Sequence, residues 1–189
     1  MKTLRDLFLN ELADIYDAEK RVAGALETLS KAAAGVHLRR ALRSHATTSR
    51  GHVTALESVF RLVGSRARGR PCEATVGLLH EVHEILGEFR GSPVIDAAVI
   101  SAAQKLEHYE IVTYGCLRTW ATQLGLAECA QILDQILEEE KASDELLSRL
   151  ARLRSNQQGL GESDTEGSRP MSGSRVRLAT PKRRRRAPA

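Results

Sequence analysis

Aromatic residues make up only 4% of this 189-residue chain: three Phe, three Tyr and one Trp. Val and Ile are also sparse beside Ala and Leu, so the side chains that build β-sheets are missing and a β-rich fold is excluded. Cysteine is nearly absent. Cys72, Cys116 and Cys129 are an odd number without framework spacing, which excludes a disulfide-stapled scaffold and points to a reducing cytosol. No uninterrupted apolar stretch approaches the roughly 20 residues of a membrane span. Residues 1–6 carry no apolar segment of signal-peptide type. The expectation is a soluble, cytoplasmic protein without a membrane partner. A Gly-rich phosphate loop, a Cys-x-x-Cys pair and a Ser/His/Asp order are also missing, and with them the usual signs of nucleotide binding or nucleophilic catalysis.

What the chain has is helix-forming residues in periodic order. Apolar residues recur at helical spacing from Leu4 through Leu7, Phe8, Ile15, Val22 and Leu26 to Leu29, and Thr3 with Asp6 resembles a capping box. Gly35 stops this helix. A second runs from about Leu38 to Val63. Residues 64–71 form a loop, and a shorter helix follows at about 73–89. After Gly91, Ser92 is placed to cap and Pro93 to open a helix reaching about Gln123. A last helix spans about 127–153. Four helices near 40 Å long predict an all-α, ferritin-like four-helix bundle. Short turns within each pair make each pair antiparallel, and the long middle connection, with its own short helix, supplies one crossover.

The basic charge balance is local. From Arg154 onward there are nine Lys/Arg against three Asp/Glu, so 19 Lys/Arg and 21 Asp/Glu remain before it, a net −2. Residues 1–153 therefore read as the bundle and 154–189 as a disordered basic tail. In the tail, Lys182, Arg183, Arg184, Arg185 and Arg186 form a cationic cluster suited to nucleic-acid phosphate, without aromatics for base stacking. The plainer reading is a solubilising tail.

Glu107-His108-Tyr109-Glu110 carries the most chemistry. Its two carboxylates lie three apart on one helix face, between the apolar turns of Val99, Ala102, Ala103 and Leu106 and of Tyr114 and Leu117. Glu is rarely buried unless paired or holding a metal. Helix one offers Glu11 and Glu19, and helix two His45 and His52, seven apart. Helix four offers Glu140 and Asp144 at (i, i+4), continuing the stripe of Leu133, Ile136 and Leu137. Each long helix thus presents an oxygen or nitrogen donor near mid-bundle, although Glu-x-x-His occurs nowhere. The set chosen as ligands is Glu19, His52, Glu107, Glu110, Glu140 and Asp144. Oxygen-rich donors with imidazole suit iron or manganese, and zinc less well. His45, beside Arg43 and Ser44, reads as solvated. So do Glu138, Glu139 and Lys141, and so does His80 with His83. Tyr109 and Tyr114 read as packing residues or as hydrogen-bond donors to the carboxylates, and the cysteines as small apolar residues.

The segments Leu12-Ala13-Asp14-Ile15-Tyr16-Asp17-Ala18-Glu19-Lys20, Cys72-Glu73-Ala74, Gln104 through Glu110, and Glu138-Glu139-Glu140-Lys141 together resemble the YciE/YciF family of ferritin-like proteins. These are bacterial proteins of unknown function linked to stress responses. The resemblance covers about residues 1–153. It implies a ferritin-like bundle, a homodimer and a di-metal site, without a defined reaction. One departure stands out: where the family carries paired glutamates after the His of helix two, this chain has Thr47 and Thr48, with His52 as the replacement one turn later.

Two functions follow. The first is a di-metal (iron or manganese) protein of stress or oxidant defence. The alternative is a metal-free helical dimer acting as an interaction protein, with its basic tail on nucleic acid. Whether there is enzymatic turnover is left open by the sequence.

Overall fold

A computed structural model describes residues 1–155. These lie in one unit, Met1–Gly159, built from helices α1 (Leu4–Ala32), α2 (Val36–Leu62), α3 (Glu73–Phe89), α4 (Ile95–Gln123) and α5 (Ala127–Leu150), with a π-helical turn at Ala151–Ser155. No strand occurs among the described residues. None of their helices is long and apolar enough to cross a membrane. Nearly all of the basic tail, with Lys182, Arg183, Arg184, Arg185 and Arg186, lies outside the described residues.

The helix ends follow from local chemistry. Thr3 caps α1: its Oγ1 accepts from the Asp6 amide at 3.2 Å, and its own amide donates to Asp6 Oδ2 at 2.8 Å, satisfying two otherwise orphaned donors. Residues 33–35 turn the chain into α2, whose N-cap, Gly35, offers no side chain. Asp96, from the first turn of α4, supplies what is missing by accepting the Ala34 and Gly35 amides at 2.7 and 2.9 Å. Between α4 and α5 only residues 124–126 intervene, and Gly125 takes φ +72° to close so short a turn. The expected start of α4 shifts. Ser92 turns its hydroxyl back to the Phe89 carbonyl at 2.7 Å, Pro93 sits in a turn, and α4 begins after Val94. A cap serves only when its oxygen points into the new helix, and here it closes the old one.

Two apolar cores fix the topology. One joins Val22, Leu26 and Leu29 late in α1 to Leu38 and Leu42 early in α2, Ile95 and Val99 early in α4, and Leu147 late in α5. The other joins Phe8, Leu12 and Ile15 early in α1 to Leu56 and Phe60 late in α2, Tyr114 and Leu117 late in α4, and Leu133 and Ile136 early in α5. So α1 and α4 run antiparallel, as do α2 and α5. The chain must travel back along the bundle between α2 and α4, and this is the single crossover of the ferritin-like bundle. Helix α3 lies on that path and packs Val82 and Leu86 into the first core. The loop before it is pinned to α1, with the Arg70 amide on the Ala13 carbonyl at 3.0 Å and the Arg70 guanidinium on Asp14 at 2.9 and 3.1 Å. Each buried Leu or Phe contributes roughly 1.5–3 kcal/mol. The two cores do not meet as one. A belt of buried polar side chains separates them at mid-bundle: Glu19, Ser49, His52, Glu107, Glu110, Thr113 and Glu140.

Candidate metal centre

Each long helix hands the belt its polar groups at a fixed step from the apolar stripe. On α1, Glu19 follows Ile15 by one turn. On α4, Glu107 and Glu110 lie between Leu106 and Tyr114. On α5, Glu140 follows Ile136 by four. On α2, His45, Ser49 and His52 recur at spacings of four and three, which keeps them on one face. Glu19, Glu110 and Glu140 have no exposed surface, Glu107 has 1% and His52 2%.

The donor atoms form two overlapping groups. His45, Glu107, Glu110 and Glu140 each offer one atom, all within 4.8 Å of one another, and so do Glu19, His52 and Glu140. Glu140 belongs to both. Its Oε2 lies 3.4 Å from His45 Nε2, and its Oε1 lies 3.0 Å from His52 Nδ1 without hydrogen-bond alignment. Glu107 Oε1 lies 3.5 Å from His45 Nε2. Glu19 is the best-held carboxylate: Ser49 donates to Oε2, Tyr114 donates to Oε1 at 2.5 Å, and His52 Nδ1 is 3.2 Å from Oε1.

The outer nitrogens of both imidazoles are engaged as ligand histidines usually are. His52 Nε2 lies 2.9 Å from Glu139 Oε2, so an N–H there donates outward and Nδ1 faces the cluster. His45 Nδ1 pairs with Ser143 Oγ, so Nε2 faces inward, where it has no hydrogen-bond partner.

Four carboxylates share this interior, and no Lys or Arg pairs with any of them among the described residues. Five of their oxygens are buried without a hydrogen-bond partner: one on Glu107, both on Glu110 and both on Glu140. Burial first, and then the Glu140 carboxylate, pushes the Glu107 carboxyl up to about 11. Burial and the charges of Glu140, Glu19 and Glu107 hold Glu110 far above the carboxylate range. His45 is pushed down by burial, toward the neutral form that ligates metals. Burial works the same way on His52, but the adjacent carboxylates of Glu140 and Glu19 prevail and carry it to about 10. The Glu140 carboxyl is raised by burial, yet the two histidines outweigh this and leave it lowered. A divalent cation satisfies such a set in a way that protons only approximate. The donor chemistry of oxygen atoms with two imidazoles fits iron, manganese or zinc.

Of the residues chosen from sequence, Glu19, His52, Glu107, Glu110 and Glu140 come together here. Asp144 does not. One turn past Glu140 it leaves the interior, accepts from Gln104 Nε2 at 2.9 Å and lies 3.4 Å from exposed His108. Glu11 is half-buried and outside both groups. His45, read as solvated, is 6% exposed and takes the place given to Asp144. Its sequence neighbours Arg43 and Ser44 point elsewhere on the helix, whereas the residues sharing its face, Leu42, Ser49 and His52, are all buried. Glu139, read as a solvated face, carries the His52 hydrogen bond. Ser49 went unread, although it lies four from one His and three from the other. Thr47 and Thr48 are not buried, and their hydroxyls return to the Arg43 and Ser44 carbonyls at 3.1 and 3.3 Å. The Thr47-Thr48 departure therefore removes nothing from the interior set.

The profile of a family described as a domain of unknown function, DUF892, matches residues 3–159. Protein YciF of Escherichia coli (strain K12) is 40% identical over 152 residues, covering 80% of this chain and 92% of that protein. The crystal structure of the E. coli stress protein YciF superposes with a TM-score of 0.79 at 39% identity, covering 83% of this chain and 99% of the other. YcfI from Rhodopseudomonas palustris superposes with a TM-score of 0.76 at 37% identity, covering 78% and 94%.

Proposed function

This chain belongs to the DUF892 family, and on that premise we propose that it is a metal-binding ferritin-like bundle whose mid-bundle belt would hold two ions, iron(II) or manganese(II), with Glu140 a member of both donor groups. The observation that carries this reading is the pair of donor groups sharing Glu140, with five buried carboxylate oxygens left without partners. Glu19 and His52 serve one ion; His45, Glu107 and Glu110 serve the other. Tyr114, Ser49, Glu139 and Ser143 orient those side chains through the hydrogen bonds described above. Iron or manganese so held supplies redox chemistry toward dioxygen or hydroperoxides. The E. coli relative is described as a stress protein, and a role in oxidant or stress defence is extended to this chain by that likeness. A groove between α2 and α5 is lined by Gly51, His52, Ala55, Ile136 and Glu139 and brings one ligand residue to its wall.

Elemental mass spectrometry of the protein purified without an affinity tag, and again after anaerobic Fe(II) addition, tests this reading. About two equivalents per chain are expected. Glu110→Ala should lose one of them and Glu140→Ala both. A folded protein that takes up no iron, manganese or zinc under these conditions would refute the proposal. The metal-free alternative drew on Thr47 and Thr48, which lie outside the cluster, so that support is withdrawn. Homodimer formation and phosphate contact by the basic tail stay within the proposal, open to light scattering and to a salt titration of DNA binding.

A further inference from the structure

Cys72 stands apart from the ligand groups, at the junction of the pinned loop and α3, where it is the N-cap residue of a 17-residue helix. It is half-buried, and its Sγ lies 3.1 Å from Tyr109 Oη. Thr75, three residues on, has no exposed surface, and its Oγ1 lies beside Cys72 and Tyr109 without hydrogen-bond alignment to either. Thr113 and Thr119, inside α4, return their hydroxyls to the carbonyl four residues back at 2.8 Å. Thr75, in the first turn of α3, has no helical carbonyl four residues back to accept its own. Valine fills the same volume without an unsatisfied hydroxyl, so packing alone gives no reason for threonine here.

The surroundings favour the thiolate. Burial pushes the Cys72 thiol up, but the Tyr109 hydroxyl and the Thr75 and Ala74 groups of the first helical turn outweigh it and leave the thiol below its ordinary range. The positive end of α3 acts in the same direction. Neither other cysteine shares this setting. Cys129 is buried in the apolar core with its thiol pushed up, and Cys116 is exposed along α4.

We infer that Cys72 is a hydroperoxide-reactive thiol, with the Thr75 and Tyr109 hydroxyls holding the two peroxide oxygens over the sulfur. The thiolate attacks one oxygen of the hydroperoxide; an S–O bond forms as the O–O bond breaks. Sulfur is oxidised by two electrons to the sulfenic acid, and the departing oxygen takes a proton from solvent to leave as water, or as an alcohol from an organic hydroperoxide. A buried hydroxyl beside an anionic sulfur, aligned with no acceptor, fits this step, because a peroxide oxygen at the sulfur offers it one.

The test treats full-length protein with hydrogen peroxide, in the presence and absence of a metal chelator, while a sulfenic-acid trap labels the product for peptide mass spectrometry. Cys72 should label roughly tenfold or more faster than Cys116, with and without chelator. Thr75→Val should slow that labelling about tenfold, as expected for one lost hydrogen bond in the transition state. Its melting temperature should stay unchanged or rise, and Thr75→Ser should restore the rate. Equal labelling of Cys72 and Cys116, or an unchanged rate in Thr75→Val, would overturn the inference. So would labelling that disappears with chelator, since the oxidation would then come from bound metal.

Discussion

Glu110 gives up every ordinary means of satisfying a carboxylate: it has no exposed surface, and neither oxygen is hydrogen-bonded. Such a residue destabilises the metal-free bundle and becomes an asset only with a cation beside it. Glu110→Met, of similar length and fully apolar, should therefore separate the two. In chelator, its unfolding free energy should rise by about 1–3 kcal/mol, the desolvation penalty of a buried polar group left without partners, while its metal content falls. Denaturant titration and elemental analysis check the two halves, and a drop in metal-free stability would contradict this account of the belt. Tyr114 acts at one remove, through its 2.5 Å hydrogen bond to Glu19. Tyr114→Phe keeps the packing and removes only the orienting donor, so metal affinity should weaken about 10–100-fold, measured by competition with a chelator of known affinity. Arg43 and Ser44 say nothing about the face that His45 occupies, because residues at i−1 and i−2 lie on other sides of a helix. Asp144 shares Glu140's face by spacing alone. At the edge of a stripe, the neighbouring helix decides which side chain turns inward, and here Gln104 draws Asp144 out.

Among the elements, the α1–α2 turn depends on a residue 61 positions beyond Gly35 in sequence. The Asp96 carboxylate closes the start of α2, which has no cap of its own. Asp96→Ala should cost about 2–3 kcal/mol, from two charge-assisted hydrogen bonds lost at a helix start, read as a lowered denaturation midpoint. Gly35 makes room for this contact, since a Cβ there would stand 2.6 Å from Asp96 Oδ2. Gly35→Ala should therefore destabilise the wild-type background more than the Asp96→Ala background, a coupling that a double-mutant cycle measures. The Thr3–Asp6 capping box was legible because all its partners lie within four residues. The Asp96 cap was not, because its partners meet only after α4 has packed against the end of α1.

For the whole molecule, the belt makes metal-free stability depend on pH with a definite sign. The Glu107 carboxyl rises from 4.5 to about 11 in the fold, and His52 rises from 6.5 to about 10. A group whose pKa is raised on folding stabilises most below its unfolded value, and that contribution drains away as pH climbs toward the folded value. Glu107 acts in this direction above pH 4.5, and His52 joins it above 6.5. The lowered His45 works the opposite way below pH 6.5 and the lowered Glu140 below 4.5, but Glu110, raised like Glu107, joins the larger effect. Metal-free protein should therefore melt at a higher temperature at pH 5 than at pH 8. With manganese(II) or zinc(II) in excess the trend should reverse, because ligands must shed protons to bind, and saturation at 100 times Kd adds about 2.7 kcal/mol. Calorimetry at both pH values, with and without metal, checks the two slopes.

Local regularities alone determined the helices, the antiparallel pairing within each half, the crossover and the interior approach of Glu19, Glu107, Glu110, Glu140 and His52. Periodicity records which face of a helix is apolar, and loop length limits where the next helix can lie. Family membership was carried by short segments, and in three of them, around Glu19, Glu107 and Glu110, and Glu140, an inward carboxylate interrupts an apolar stripe. Tertiary structure decided the rest. It chose His45 over Asp144, gave the two donor groups a common Glu140, turned Thr47 and Thr48 outward, and set Thr75 and Tyr109 around Cys72. Each of these depends on the rotation and depth at which two helices pack. A shift of one residue turns a side chain by about 100°, and only contact with the neighbouring helix fixes it.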